Sequence, residues 1–491
     1  MLAACTSEGS GVRSLDASAA STDPTVAPTT TPSNTAVPAT NPATPTTTLP
    51  APEDTGDGIG DELYPDLGNP GVDVLDYEVE LATSSAGDVV AGSATLTIAF
   101  TQERDQFTLD SLGPEIDTVS IDGNEVAFES DEPELRITPS ATIAAGETHA
   151  VTVDYTVVVT DIGSNNRFAP GWVSTDGGSY VLNEPDGGRT WLPSNDHPSD
   201  KATWTFRITV PSGVTAVANG RLVGTTSGAA GDTWEWREDQ PMATYLVLLL
   251  TGDYELVEST TADGLPLVSA VLRADRERLQ PFIDDMEAQI EFFEPLFGPY
   301  PLDRYGLAVT DSFAGLAMET QGRSMYSRDD LVTPAGEYEQ AVSAHELAHQ
   351  WFGDAVTPGV WGDIWLNESF ATYGEWLWME HIDYVSVDAK ADSALQERQF
   401  GDGEPTGSPT AELFVFNSYN GGAVVLHALR LTIGDDLFFE LLQRWVADND
   451  GTSRTSADFI ALAEQVSGQD LGAFFDNWLY ADIPPPEYPN G

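Results

Sequence analysis

Residues 342–375 read VSAHELAHQWFGDAVTPGVWGDIWLNESFATYGE. Within them His345, Glu346 and His349 form H-E-x-x-H, and Glu368 stands nineteen residues beyond His349. A helix turns about 100° per residue, so the two histidines fall one turn apart on one face, roughly 6 Å along the axis. Imidazoles so placed form a clamp for Zn2+, and Glu346 beside the clamp is free to polarise water rather than to ligate. Glu368 lies in a second helical run, WLNESFATY, after a loop marked by Gly353-Asp354 and Thr357-Pro358-Gly359. A helix–loop–helix hairpin can return that carboxylate as third protein ligand and leave a fourth position for water, as in catalytic sites. A core helix with two hydrogen-bonded histidines would account for the pair alone. It would not account for the intervening glutamate or the Asn-Glu pair downstream, in a chain with only six histidines. Ala341, Ala344 and Ala348 keep one side of the first helix small enough for close packing.

The rest of the chain bounds this chemistry. Its 491 residues suffice for about two or three domains. A net charge of −59, from 79 acidic and 20 basic residues, argues against nucleic acid or an anionic membrane surface as electrostatic partners. Cys5 is the single cysteine, so no intrachain disulfide can form. The longest aliphatic run, Leu246 to Leu250, is too short to span a bilayer.

Leu2-Ala3-Ala4-Cys5 resembles a bacterial lipobox, which makes Cys5 a lipidation site. Membrane contact is then expected only through that anchor, with the protein outside the cytoplasm at the bacterial cell surface. Residues 6–58 are rich in Ser, Thr, Pro and Ala without apolar periodicity. They read as a disordered tether, reaching on the order of 150 Å at about 3.1 Å per residue. Residues 65–255 alternate with period two, as in Ala94, Leu96, Ile98 and Phe100, and Asp122-Gly123 is a hairpin signal. They predict an antiparallel all-β domain of saddle or sandwich type. From residue 256 onward the period changes. Leu279, Ile283, Met286, Ile290 and Phe293 step as an amphipathic helix. A strand is expected over 305–310, an edge strand near 315–320, and further helices from 421 to the proline-rich end.

H-E-L-A-H, the spacing to Glu368 and W-L-N-E-S-F-A resemble the gluzincin metallopeptidases, specifically the M1 aminopeptidase family. The resemblance covers roughly residues 70–490. It implies an N-terminal β domain followed by a thermolysin-like α+β catalytic domain over 256–491. It implies one zinc ion per chain on His345, His349 and Glu368, with Glu346 as general base. Ala317-Met318-Glu319-Thr320 is similar to the family's G-A-M-E-N, which makes Glu319 an anchor for the substrate's free α-amine. Glu184-Pro185, followed by Arg189 and Trp191-Leu192-Pro193, is similar to its Q-x-E-P segment and makes Glu184 the second anchor. Tyr419-Asn420-Gly421-Gly422-Ala423 is similar to Y-x-K-G-A and makes Tyr419 the phenol that steadies the oxyanion. Glu375, seven residues beyond Glu368, is a candidate for orienting a histidine ligand from behind.

The expected activity is removal of N-terminal residues from peptides that carry a free amine. A blocked or internal peptide would leave the paired carboxylates desolvated and uncompensated. Four departures bear on this. Leu316 replaces glycine and Thr320 replaces asparagine, Gly421 stands for lysine, and Leu182 for the glutamine before Glu184. They keep open a zinc endopeptidase or other hydrolase on the same scaffold, and a surface binding module without turnover. An intact Glu346 and Tyr419 argue against the last.

Overall fold

The structure is a computed structural model and describes residues 58–83, 89–131, 133–159, 171–312, 315–400, 405–409 and 412–489. Cys5 and nearly all of the expected tether lie outside the described residues.

Alternating side chains build the first half. Along Val89–Phe100 the buried set is Val90, Ala94, Leu96, Ile98 and Phe100, with threonines turned outward between them. Among the described residues this strand sits inside an eight-stranded sheet. Its order is Arg221–Gly228, Gly231–Met242, Ala202–Val210, Val72–Thr83, Val89–Phe100, Thr148–Val158, Glu115–Ile121 and Asn124–Glu125. The Asp122-Gly123 turn joins the last two, with both residues at positive φ (+50° and +76°), as a two-residue hairpin requires. One pairing departs from the antiparallel expectation: Val72–Thr83 runs parallel to Ala202–Val210. More than a hundred residues separate the two strands, so the chain has room to cross over and re-enter in the same direction. A four-stranded sheet (Thr215–Ala218, Leu249–Gly252, Gly178–Leu182, Gly171–Thr175) and a three-stranded one (Phe107–Asp110, Glu134–Thr138, Ala127–Asp131) complete this half.

A mixed five-stranded sheet opens the second half, in the order Tyr254–Thr260, Pro266–Leu272, Leu307–Thr310, Ser324–Ser327 and Ala317–Met318. The last is an edge strand, as its short apolar run suggested, and Glu319 follows it directly. Eight α-helices accompany this sheet among the described residues. They are α1 (Arg276–Phe297), α2 (Glu337–Ala348), α3 (Trp365–His381), α4 (Val387–Phe400), α5 (Gly422–Ile433), α6 (Asp435–Asn449), α7 (Ser456–Ser467) and α8 (Gly472–Trp478). Helix α4 has no counterpart in the sequence reading. Its buried positions are filled largely by Val387, Ala391, Ala394 and Leu395, and alanines make a faint periodic signal. Two apolar cores result, one per half, and Leu316, Met318, Met325 and Trp361 of the second half pack into the core of the first. No helix among the described residues is long and apolar enough to cross a membrane.

The residues ahead of the first strand dock through side chains. Asp61 accepts from Trp361 N at 2.7 Å and lies 3.2 Å from His197 Nε2. Nearby, Asp110 accepts from Asn69 Nδ2 and Asp196 N, both at 2.7 Å. Burial and the neighbouring Asp196 push the Asp110 carboxyl up to about 7. An acid raised above its unfolded value near 4 stabilises the fold below that pH, and this contribution is lost as pH rises to 7. Stability should therefore fall between pH 4 and 7. The Asp110→Asn variant should lose on the order of 1 kcal/mol per pH unit less than wild type over that window. Urea unfolding at several pH values reads the two slopes, and parallel slopes would remove Asp110 from the account.

Candidate active site

Helix α2 begins after an extended Gly336, with Glu337 and Glu339 in a first turn where negative charge complements the helix dipole. It ends at Ala348, so His345 lies in its last turn and His349 is its C-cap. Gly353, at φ +132°, then turns the chain back. Helix α3 returns antiparallel with Glu368 in its first turn. The two helices approach closely because Gly374 faces Ala348: a Cβ there would sit 2.9 Å from that of Ala348.

This approach brings three donors together. Glu368 Oε2 lies 3.2 Å from His345 Nε2 and 3.4 Å from His349 Nε2. Tetrahedral zinc with ligands at about 2.0–2.1 Å needs neighbouring donors about 3.4 Å apart. The donor types and spacing therefore fit that ion. His349 Nδ1–H donates to the Phe352 carbonyl at 3.1 Å, which turns the Nε2 lone pair toward the donor set. His345 Nδ1 is buried without a hydrogen-bond partner.

Carboxylates crowd this centre. Glu319 Oε1 lies 3.9 Å from His349 Nδ1, and Glu319, Glu346 and His349 form a second donor cluster that shares His349 with the first. Burial, then the charges of Glu319 and Glu368, hold the Glu184 carboxyl well above its usual range. Burial raises Glu346 to about 8, against the pull of His349. Burial opposes charge on His349, but Glu319, Glu368 and Glu346 outweigh it and hold the imidazole well above its usual range. One oxygen on each of Glu184, Glu319 and Glu346 is buried without a partner. Buried carboxylates in this state call for cations.

Tyr419 comes from a single π-helical turn, Asn417–Gly421, ahead of α5. Ser369 Oγ donates to the Ser418 carbonyl at 2.6 Å, and a Cβ on Gly422 would collide with that hydroxyl, so the turn lies directly on α3. Tyr419 then donates to Glu368 Oε1 at 3.1 Å. Burial and the Glu368 charge keep its phenol protonated.

The structure thus gathers His345, Glu346, His349, Glu368, Glu319, Glu184 and Tyr419. It does not bring Glu375 to a histidine. That carboxylate meets Lys390 Nζ at 3.4 Å. Seven residues of helix carry it about 10 Å along the axis from Glu368, to where Lys390 of α4 meets it. The Phe352 carbonyl orients His349 instead. Leu316 is 3% exposed and packs into the core of the first half. Thr320 Oγ1 closes a turn on the Arg323 carbonyl at 2.5 Å. The sequence reading missed Gln350, whose Nε2 donates to the Glu319 carbonyl at 3.1 Å. It also missed Asp354, fully buried with both oxygens unpaired, and Tyr245 and Lys201, which reach in from the first half. The contacts of Tyr245 and Lys201 span more than a hundred residues, and only Gln350 and Asp354 lie in the quoted stretch.

Residues 283–478 match the Peptidase family M1 domain, and residues 74–246 match the Peptidase M1 N-terminal domain. Aminopeptidase M1-D of Oryza sativa subsp. japonica is 28% identical over 59% of this chain and 35% of its own length. Probable aminopeptidase 1 of Sulfurisphaera tokodaii is 25% identical over 78% of this chain and 50% of its own. The chain thus spans 35–50% of the length of these curated relatives. An M1 zinc metallopeptidase from Deinococcus radiodurans superposes with a TM-score of 0.77 at 29% identity, covering 88% of this chain and 100% of that one. A mutant of it bound to a Tyr-Ser-Ala substrate superposes with a TM-score of 0.75. Equilibrium dialysis against zinc tests the donor set. His349→Ala and Glu368→Ala should lose zinc by at least about tenfold in affinity, while Glu375→Gln should bind as wild type does. Equal loss in Glu375→Gln would restore its orienting role.

Proposed function

This chain belongs to peptidase family M1, and from that premise we propose that it is a zinc-dependent aminopeptidase acting on peptides with a free N-terminus. The observation that carries the substrate class is the pair of buried carboxylate oxygens, one on Glu184 and one on Glu319, that accept no hydrogen bond beside the three-donor set. Two such oxygens are satisfied by one ammonium group, which supplies both charge and donors. An acetylated terminus would supply neither.

His345, His349 and Glu368 hold the ion. We place one per chain, because the two donor clusters share His349. Bound zinc supplies a Lewis acid that polarises the scissile carbonyl and acidifies water. Glu346 takes the proton of the attacking water and returns it to the leaving amine. One of its buried oxygens accepts no hydrogen bond and is free to take that proton. Tyr419, kept protonated and already beside the ligand carboxylate, turns its hydroxyl to the developing oxyanion. Glu184 and Glu319 set the register, so that the first peptide bond meets Glu346.

Cleavage of an aminoacyl anilide and of its N-acetylated twin tests the reading. Only the free-amine compound should be cleaved, with activity lost to a chelator and restored by zinc. Hydrolysis of acetylated peptides at internal bonds would shift the reading to an endopeptidase. Glu346→Gln should retain zinc and lose at least about a hundredfold in turnover. Glu319→Ala should raise KM for free-amine substrates; an unchanged KM would end its anchoring role.

We also propose an extracytoplasmic protein lipidated at Cys5. The support is Leu2-Ala3-Ala4-Cys5 and the Ser/Thr/Pro-rich run that follows it. Cys5→Ser should move the expressed protein from the membrane to the soluble fraction, and unchanged partitioning would refute the anchor.

A further inference from the structure

Helix α2 ends in a loop whose four successive carbonyls, from Phe352 to Ala355, are each taken by a side chain. Phe352 O accepts from His349 Nδ1 at 3.1 Å. Gly353 O accepts from Tyr245 Oη at 3.1 Å and from Thr357 Oγ1 at 2.8 Å. Asp354 O and Ala355 O accept from Lys201 Nζ at 2.6 and 3.2 Å. Tyr245 and Lys201 both belong to the N-terminal half. Tyr245 stands on the short 3-10 turn Thr244–Leu246, and Lys201 directly precedes the strand Ala202–Val210. The Tyr245 hydroxyl also accepts from Asn367 Nδ2 at 3.0 Å, and Asn367 is the neighbour of ligand Glu368. The row therefore touches both arms of the donor set.

Lys201 is an unusual residue in this chain. The sequence holds eighteen arginines and only two lysines, Lys201 and Lys390. A planar guanidinium is the wider, more weakly hydrated cation; a compact ammonium on a slim stem can enter a narrow gap and serve two adjacent carbonyls. Burial lowers Lys201 to about 8, so it keeps its charge at neutral pH. The other lysine meets Glu375, away from the donors. Of the two imidazoles, only His349 has its far nitrogen held by a hydrogen bond, and the holding carbonyl begins the row that Lys201 and Tyr245 fix.

We propose that Lys201 and Tyr245 are positioning residues for the metal centre: by pinning the Gly353–Ala355 carbonyls they hold the Phe352 carbonyl against His349 and so set that ligand's orientation and the zinc affinity. The N-terminal half is then part of the metal site's support as well as the bearer of Glu184. The inference rests on the reading that His345, His349 and Glu368 hold zinc. It does not depend on which substrate is cleaved.

The test measures zinc affinity by competition with a chromophoric chelator, at a temperature well below unfolding, on the full chain. Lys201→Met keeps the length of the stem and removes the donors. Tyr245→Phe removes one hydroxyl and leaves the ring. Lys390→Met removes the other lysine as a control. Lys201→Met and Tyr245→Phe should each weaken zinc binding by about 10- to 100-fold, the range found for groups that orient a ligand from behind. Lys390→Met should stay within about twofold of wild type on the same scale. Wild-type affinity in Lys201→Met and Tyr245→Phe, even with lowered thermal stability, overturns the proposal. Equal weakening in Lys390→Met overturns it too, since the loss would then follow general destabilisation. Should Lys201→Met not fold, Tyr245→Phe decides alone. Wild-type protein that takes up no zinc would overturn the metal reading with it; protein that binds zinc but cleaves no peptide leaves the affinities readable.

Discussion

Buried negative charge is the constraint around which the structure is arranged. Glu184, Glu319, Glu346, Glu368 and Asp354 converge on two imidazoles, and Lys201 is the lysine that reaches the loop beside them. Carboxylates withdrawn from water at this density are costly unless cations complete them. One deficit lies on the three-donor set, where geometry suits a dication. The other lies at Glu184 and Glu319, where two oxygens that accept no hydrogen bond suit an ammonium. On the proposed reading, zinc binding and recognition of a free N-terminus answer the same electrostatic demand at adjacent points.

Holding such a site open requires a frame that cannot relax to bury the charges among themselves. Small residues provide part of it. Gly374 against Ala348 lets α2 and α3 approach until Glu368 reaches both histidines, and Gly422 lets the π-turn of Tyr419 lie against Ser369. Polar cross-links provide the rest. Gln350 joins the end of α2 to the backbone of Glu319, and buried Arg323 donates from the catalytic sheet to the carbonyls of Val268 and Ala218 while lying over Trp236. Because Leu316, Met318 and Trp361 enter the core of the first half, the two halves share apolar burial where the site is built. The proposed amine anchor on one half and metal centre on the other need that rigidity, since an error of about 1 Å at the reacting bond can cost a hundredfold in rate.

Much of this was legible in the residues, and the boundary follows the range of the interactions. Helical spacing alone places His345 and His349 on one face, and period-two alternation alone marks Val89–Phe100 as a half-buried strand. The resemblance of short motifs located Glu319, Glu184 and Tyr419, and the structure places all three around the donors. Glu375 shows where local reasoning failed. Helix periodicity put it on the face of Glu368, but which group meets it there is a matter of packing, and Lys390 claims it. The parallel pairing of Val72–Thr83 with Ala202–Val210 was equally out of reach, because alternation specifies which face is buried and not the direction of the neighbouring strand.

By itself, the sequence determined the chemistry: two histidines and a glutamate at helical spacing, a second glutamate within reach as third ligand, and a strongly acidic overall charge. These follow from covalent order and the geometry of one helix turn. Tertiary structure decided which groups serve that chemistry from a distance. The carbonyl row of Phe352 to Ala355, its capture by Tyr245 and Lys201, and the charge of Glu319 acting on Glu184 join residues more than a hundred positions apart. Such contacts depend on how two cores pack together, and no periodicity within a single element encodes that.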